Sequence, residues 1–146
     1  MSHRVLLVDD HPTVRQALRR FLEWEGLEVV GDAWDSAEVL RLAWERRAEV
    51  VILDCSLPLA SCFDLAREIV RTLPVKGVIL VTFEDYLVAR ALQAGIRGYV
   101  LKARVVEELP SAIQQVAQGA IYVSPGIAPA IVESCVTATN RRPGVV

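Results

Sequence analysis

Five short segments rich in apolar residues recur along the chain, and four of them are nearly uninterrupted apolar runs. They are Val5–Val8, Glu28–Ala33, Val50–Leu53, Gly77–Val81 and Gly98–Leu101. Such runs are typical of strands that are buried on both faces of a parallel sheet. Glu28–Ala33 begins with a polar residue instead, which indicates an edge strand.

The segments between these strands place apolar residues three and four positions apart, the spacing of one helix face. We therefore predict a helix after each strand. The first begins at Pro12, and the fourth spans Asp85 to Ala94. The second is predicted to bury Ala37, Leu40 and Trp44.

Strict alternation of strands and helices predicts an α/β fold, with a parallel sheet covered by helices on both faces. The chain has 146 residues, which suits one such domain. We assign residues 1–120 to this domain and residues 121–146 to a C-terminal extension. Within the extension, residues 127–136 are predicted to form a short helix and residues 137–146 a linker.

Polar side chains directly follow four of the predicted strands, all of them buried, and they define a candidate site. They are Asp9 and Asp10, Asp54, Thr82 and Lys102. Because parallel strands end at the same edge of a sheet, we expect these side chains in one crevice. Each residue alone also fits a turn, cap or solvent-exposed position, but their joint occurrence favours a site.

Three carboxylates in one crevice repel each other by roughly 4 kcal/mol per pair at ~4 Å and an effective dielectric of about 20, so the site requires a cation. Oxygen ligands favour Mg²⁺ over zinc. Mg²⁺ usually binds one or two carboxylates, which leaves another carboxylate oxygen able to attack phosphorus. Lys102 and Thr82 would then bind the phosphoryl oxygens. This set of residues fits the formation of an aspartyl phosphate.

Composition restricts the partners and the compartment. The net charge is −2 and no dense Lys/Arg run occurs, so we expect no direct nucleic acid binding by this chain. No segment approaches a membrane span or a secretory core, so we expect no membrane association. The three cysteines lack a Cys-x-x-Cys pair, which predicts a reduced, cytoplasmic protein.

Between about Arg4 and Gly119 the chain resembles the receiver domains of two-component response regulators. The matching motifs are Val8-Asp9-Asp10, Leu53-Asp54 followed by Pro58, Val81-Thr82 and Gly98-Tyr99-Val100-Leu101-Lys102. The resemblance implies a flavodoxin-like (βα)₅ fold with an open five-stranded parallel sheet in the order 2-1-3-4-5.

Residues 91–99 and 119–125 resemble the NarL/FixJ branch of these receivers. Members of this branch usually continue into a DNA-binding helix-turn-helix domain. We expect no such domain within these 146 residues.

The resemblance also implies a role for each residue of the acidic site. Asp54 would be the phosphoacceptor. Asp10, Asp54 and the backbone carbonyl of Ser56 would bind Mg²⁺, and Asp9 would act mainly through metal-bound water.

The same resemblance implies a phosphate-sensing switch. Lys102 would pair with the phosphate, and Thr82 would move inward to bond it. Tyr99 would report this move, its ring filling the space that Thr82 opens. Ser56 and Glu84 occupy positions that tune the rate of hydrolysis.

Two residues depart from the family pattern. Cys62 stands where glycine is most common, and a residue with a β-carbon destabilises a backbone with positive φ. Phe83 follows Thr82 where a small residue is more common, and we expect it to restrict the access of phosphodonors. Neither residue removes a chemical group from the site.

The leading hypothesis is a phosphoryl-accepting switch that catalyses only its own phosphorylation and dephosphorylation. Its partner would be a sensor histidine kinase, and the first and last helices are expected contact surfaces, including for a homodimer. Two alternatives stay open. One is an aspartate-nucleophile phosphohydrolase of the haloacid dehalogenase type, which has a second acid where Ser56 stands here. The other is a receiver fold that signals without phosphate.

Overall fold

The computed structural model describes residues 2–54 and 59–127. Its strands are β1 (Arg4–Val8), β2 (Glu28–Ala33), β3 (Val50–Asp54), β4 (Gly77–Thr82), β5 (Gly98–Leu101) and β6 (Tyr122–Val123). Its helices are α1 (Pro12–Trp24), α2 (Ser36–Glu45), α3 (Leu59–Thr72), α4 (Val88–Gln93) and α5 (Val105–Ala117). A short 3₁₀ turn, Lys102–Arg104, joins β5 to α5.

The strands form one parallel sheet in the order β2-β1-β3-β4-β5-β6. The flavodoxin-like fold and the predicted order of the first five strands are confirmed. The sixth strand was not predicted. It lies beside β5, where Gly98 pairs with Tyr122 and Tyr99 with Val123.

Helices cover both faces of the sheet, as the alternation predicts. Alternate side chains of β3 enter different cores: Val50 and Ile52 pack on the side of α1 and α5, and Val51 and Leu53 on the opposite side. The opposite side is covered by buried residues of α2, α3 and α4. The predicted burial of β3 on both faces is therefore confirmed.

The prediction for the inner face of α2 was wrong for Ala37 and Trp44, whereas Leu40 is partly buried against the core as predicted. The buried residues are Val39, Leu42 and Ala43, whereas Ala37 is exposed and Trp44 is 64% exposed. Both sets of residues have helical spacing, so the local pattern did not distinguish them. The packing of α2 against β1 and β2 determines which of the two sets is buried.

The fourth helix begins at Val88, three residues later than predicted. The preceding turn is held by the buried side chain of Tyr99. Its hydroxyl donates a hydrogen bond to the Glu84 carbonyl and accepts one from the Leu87 N–H at 3.2 Å. A residue of β5 therefore keeps this segment out of the helix.

Cys62 lies inside α3 and is buried. Among the described residues other than glycine, only Arg47 has a positive φ. The expected conformational cost at Cys62 therefore does not arise, because the helical backbone accepts a β-carbon.

The buried Glu108 of α5 anchors β6. Its Oε1 accepts hydrogen bonds from the Ser124 hydroxyl at 2.7 Å and from the Tyr122 hydroxyl at 3.0 Å. The Ser124 oxygen in turn accepts a bond from the Leu101 N–H at 2.9 Å. Arg104 Nε donates a hydrogen bond to the second carboxylate oxygen, Glu108 Oε2, at 3.0 Å. The chain after α5 is thus attached to the strand that leads into Lys102.

The predicted linker and nearly all of the predicted short helix fall in residues 128–146, outside the described residues. The division at residue 120 remains a prediction. None of the helices in the described part of the chain has the length and hydrophobicity needed to cross a membrane.

Candidate functional site

Three of the predicted site residues lie buried where neighbouring strands end. Asp9 follows β1, Asp54 is the last residue of β3 and Thr82 is the last residue of β4. Lys102 follows β5, and its Nζ lies 2.7 Å from Asp54 Oδ1. Parallel pairing brings these strand ends to one edge of the sheet, as the sequence pattern predicts.

Asp54 is a buried carboxyl group that accepts a hydrogen bond from Lys102. Burial raises its pKa from an ordinary value of 3.8 to about 6, although the hydrogen bond from Lys102 acts in the opposite direction. The negative charge of Asp9 adds to the increase. Near neutral pH the group is therefore mostly ionised, the state required of a nucleophile.

Asp9 and Asp10 form an acidic group with His11. Asp9 Oδ1 accepts a hydrogen bond from the His11 N–H at 2.8 Å, and Asp10 Oδ1 lies 3.0 Å from His11 Nδ1. One ligand atom from each of the three residues lies within 4.8 Å of the others. The sequence analysis overlooked His11, although it directly follows the two aspartates.

A buried oxygen of Asp9 tests whether this group suits Mg²⁺. Its Oδ2 is inaccessible to solvent and has no hydrogen-bond partner among residues 2–54 and 59–127. A buried carboxylate oxygen without a donor is unfavourable unless a cation compensates its charge. The oxygens of Asp9 and Asp10 are hard donors of the kind that Mg²⁺ prefers, and Asp54 lies near enough for the charge of Asp9 to raise its pKa. The acidic group therefore fits this metal, whereas Ser56 lies outside the described residues.

The segment after β4 connects Thr82 to Tyr99. The Thr82 hydroxyl oxygen accepts a hydrogen bond from the Glu84 N–H at 3.2 Å, and the Glu84 carbonyl accepts the bond from Tyr99. Tyr99 is only 1% exposed, and burial raises its pKa to about 12, so its hydroxyl remains a donor at neutral pH. The Tyr99 ring is thus already buried in this structure, while its predicted role as a reporter of Thr82 remains a prediction. Glu84 thus links the two residues, because its N–H bonds Thr82 and its carbonyl bonds Tyr99.

Phe83 lies against the basic side chain of the site. Its ring is 73% exposed, and Lys102 Nζ lies over it at 5.1 Å from the centroid. This geometry is a cation–π contact. Lys102 therefore contacts Asp54 and an exposed aromatic ring at the same time.

Comparison with known protein families identifies the family of the chain. A sequence model described as the response regulator receiver domain matches residues 5–114. The chain belongs to this family. The resemblance proposed from the motifs is therefore confirmed, and membership indicates a signalling domain rather than a classical enzyme.

The relatives of this receiver are response regulators. GacA of Pseudomonas aeruginosa is 41% identical over 128 residues, which cover 86% of this chain and 60% of GacA. UvrY of Escherichia coli K12 is 36% identical over 127 residues, covering 85% of this chain and 58% of UvrY. The receiver thus spans about 60% of the length of these relatives.

Solved structures share the fold and support the predicted NarL/FixJ branch. A two-component response regulator of the LuxR family from Aurantimonas has a TM-score of 0.79 and 33% identity, covering 93% of this chain and 99% of that one. The receiver domain of the putative response regulator NarL from Mycobacterium tuberculosis has a TM-score of 0.71 and 33% identity, covering 81% and 98%.

Proposed function

We propose that this receiver is a phosphoryl-accepting switch in which Asp54 takes a phosphoryl group from a sensor histidine kinase. The observation that carries the proposal is the buried Asp54–Lys102 pair, 2.7 Å apart, beside the unbonded buried oxygen of Asp9. A nucleophile, a phosphate-binding cation and an acidic metal pocket at one strand edge are the components that aspartyl phosphate formation requires.

In the proposed reaction, a carboxylate oxygen of Asp54 attacks the phosphorus of a phosphohistidine. The new P–O bond forms as the P–N bond breaks, and the electron pair of that bond remains on the imidazole. The ammonium of Lys102, now bound to Asp54, would bind a phosphoryl oxygen, and the Thr82 hydroxyl would donate a second hydrogen bond.

The proposed Mg²⁺ ligands are Asp10, Asp54 and the backbone carbonyl of Ser56, with Asp9 acting through water. When bound, the ion supplies positive charge that offsets the acidic side chains and the phosphoryl oxygens. Ser56 and Glu84 are proposed to tune the lifetime of the phosphate. The side chain of Glu84 is exposed. Its N–H bonds the Thr82 hydroxyl and its carbonyl accepts a bond from Tyr99, which supports this assignment.

The surface of α1 and α5 is the proposed contact region for protein partners, including a second copy of the receiver. Val14 and Val106 are exposed there, and they border a groove of about 320 Å³ that extends to Asp54 and Lys102. We propose that the receiver acts in the cytoplasm in transcription regulation, through protein contacts rather than by binding nucleic acid itself. Specific binding of the phosphorylated receiver to duplex DNA at physiological salt would contradict this.

Intact-mass spectrometry after incubation with acetyl phosphate tests the phosphoacceptor role. Wild type should gain the mass of one phosphoryl group in the presence of Mg²⁺ but not in EDTA, and Asp54→Asn should gain none. A modified Asp54→Asn protein would refute the assignment. Steady turnover of added phosphate esters would instead favour the phosphohydrolase, and unchanged partner binding on phosphorylation would favour the phosphate-independent module.

A further inference from the structure

Both backbone groups of Asp9, the N–H and the carbonyl, make hydrogen bonds. Its N–H donates a hydrogen bond to the Ala33 carbonyl at 3.0 Å, at the end of β2. Its carbonyl accepts a hydrogen bond from Arg15 Nη1 at 2.8 Å, from the first turn of α1. The backbone at Asp9 is therefore attached both to the edge strand β2 and to helix α1.

Arg15 is itself held by a carboxylate of β2. Its Nε lies 3.0 Å from Asp32 Oδ1, and its side chain is 17% exposed. The planar guanidinium thus donates in two directions, from Nε to Asp32 and from Nη1 to the Asp9 carbonyl. A lysine at this position has only one nitrogen with which to make these contacts.

We propose that Arg15 is a positioning residue that preorganises the acidic pocket for Mg²⁺. The proposal rests on the proposed function, because it assumes that this pocket binds the ion. Asp9 and Asp54 are both acidic and repel each other, so without the bond from Arg15 only the Ala33 contact would hold the Asp9 backbone against that repulsion. By holding the Asp9 carbonyl, Arg15 keeps the buried Asp9 Oδ2, which has no hydrogen-bond partner among the described residues, in position for a cation.

Arg19 provides a matched control within the same ion-pair network. Its Nη1 lies 2.7 Å from the other carboxylate oxygen of Asp32. Its remaining contacts are to Glu23 and to the Val29 carbonyl, away from the acidic loop. Loss of either arginine breaks one ion pair with Asp32, but only loss of Arg15 removes the hydrogen bond to the Asp9 carbonyl.

The experiment is calorimetric titration of MgCl₂ into wild type, Arg15→Met and Arg19→Met, with urea unfolding of each protein. Outer residues that orient metal ligands affect affinity by about 10- to 100-fold, and we expect about tenfold weaker binding for Arg15→Met. Arg19→Met should bind within about twofold of wild type, since it leaves the Asp9 contact in place. Arg15→Lys should remain weak, because it cannot make both contacts. Equal affinities for Arg15→Met and Arg19→Met would overturn the proposal.

If Arg15→Met does not fold, a substitution of Asp32, the ion-pair partner of Arg15, provides the test instead. Asp32→Asn removes the charge that holds Arg15, and it should weaken Mg²⁺ binding more than Arg19→Met does. If Asp32→Asn binds as tightly as Arg19→Met, the proposal is wrong. Failure of the wild type to bind Mg²⁺ would instead refute the proposed function, so the two failures are distinguishable.

Discussion

Lys102 Nζ and Asp54 Oδ1 lie 2.7 Å apart, although 48 positions separate the two residues in the sequence. Strand β4 lies between β3, which ends in Asp54, and β5, which Lys102 follows, so the pair spans the end of the strand that terminates in Thr82. Under the proposed function, a phosphoryl group on Asp54 would contact both the Lys102 ammonium and the Thr82 hydroxyl. This relationship connects the chemistry of the site to the segment that leads to Tyr99.

Asp54→Asn is expected to stabilise the metal-free protein at pH 7.5. The folded protein retains the Asp54 proton up to about pH 6, whereas the unfolded chain releases it near 3.8. The buried neutral carboxyl group therefore contributes its full stability below the unfolded pKa of 3.8. This contribution is lost as pH rises through the folded pKa of about 6. Removing this ionisation should raise the free energy of unfolding by about 1 to 3 kcal/mol, measured by urea denaturation in EDTA.

The same two proteins at pH 4 provide the control, because the difference should shrink when the folded carboxyl group is protonated. Mg²⁺ should then stabilise the wild type at pH 7.5 but have a smaller effect on Asp54→Asn. A difference that is independent of pH would mean that burial of the charge is not its cause.

Phe83→Ala is expected to increase the rate of phosphorylation by acetyl phosphate. The ring lies over Lys102 and is exposed at the same edge as Asp54, so its removal opens access and releases the ammonium. A cation–π contact at an exposed site contributes about 0.5 to 1 kcal/mol, which corresponds to about a two- to fivefold increase. Stopped-flow or timed intact-mass measurements can follow the reaction.

Tyr86→Ala is the matched control for Phe83, because Tyr86 is 70% exposed and lies in the same segment. It should leave the rate near that of the wild type. If both substitutions accelerate the reaction equally, the contact with Lys102 has no specific role.

Tyr99→Phe is expected to loosen the segment before α4. The substitution removes the hydroxyl that bonds the Glu84 carbonyl and the Leu87 N–H. Loss of these buried bonds should lower the free energy of unfolding by about 1 to 3 kcal/mol. Hydrogen exchange should accelerate at Leu87, whereas Tyr122→Phe, whose hydroxyl bonds Glu108, should leave that amide unchanged. Unchanged exchange at Leu87 in Tyr99→Phe would show that the hydroxyl does not hold this segment.

Ser124→Ala is expected to release β6 from the sheet. Its hydroxyl joins the Leu101 N–H to the buried carboxylate of Glu108, and alanine leaves both with fewer partners. We expect a loss of about 1 to 3 kcal/mol in unfolding free energy and faster exchange at Leu101. Ser111→Ala is the control, because Ser111 is an exposed residue of α5 that contacts Gln115. An equal effect of the two substitutions would contradict the anchoring role.

Local pattern was sufficient to predict most of the fold. Doubly buried strands require apolar residues on both faces, and helices between them require apolar residues at a spacing near 3.6, so both periods are visible in the sequence. The same reasoning did not select the buried face of α2, because Val39 and Trp44 both belong to stripes with helical spacing. That choice depends on which stripe fits against β1 and β2.

The sequence by itself determined that Asp9, Asp54, Thr82 and Lys102 share one edge, because parallel strands that end in these residues must place them together. Tertiary structure alone decided how the edge is supported. The hydroxyl of Tyr99, the Ser124–Glu108 contact and the bond from Arg15 to Asp9 join distant parts of the chain. Periodicity reports which face of an element is buried, but a hydrogen-bond partner is chosen by three-dimensional proximity, which local sequence does not contain.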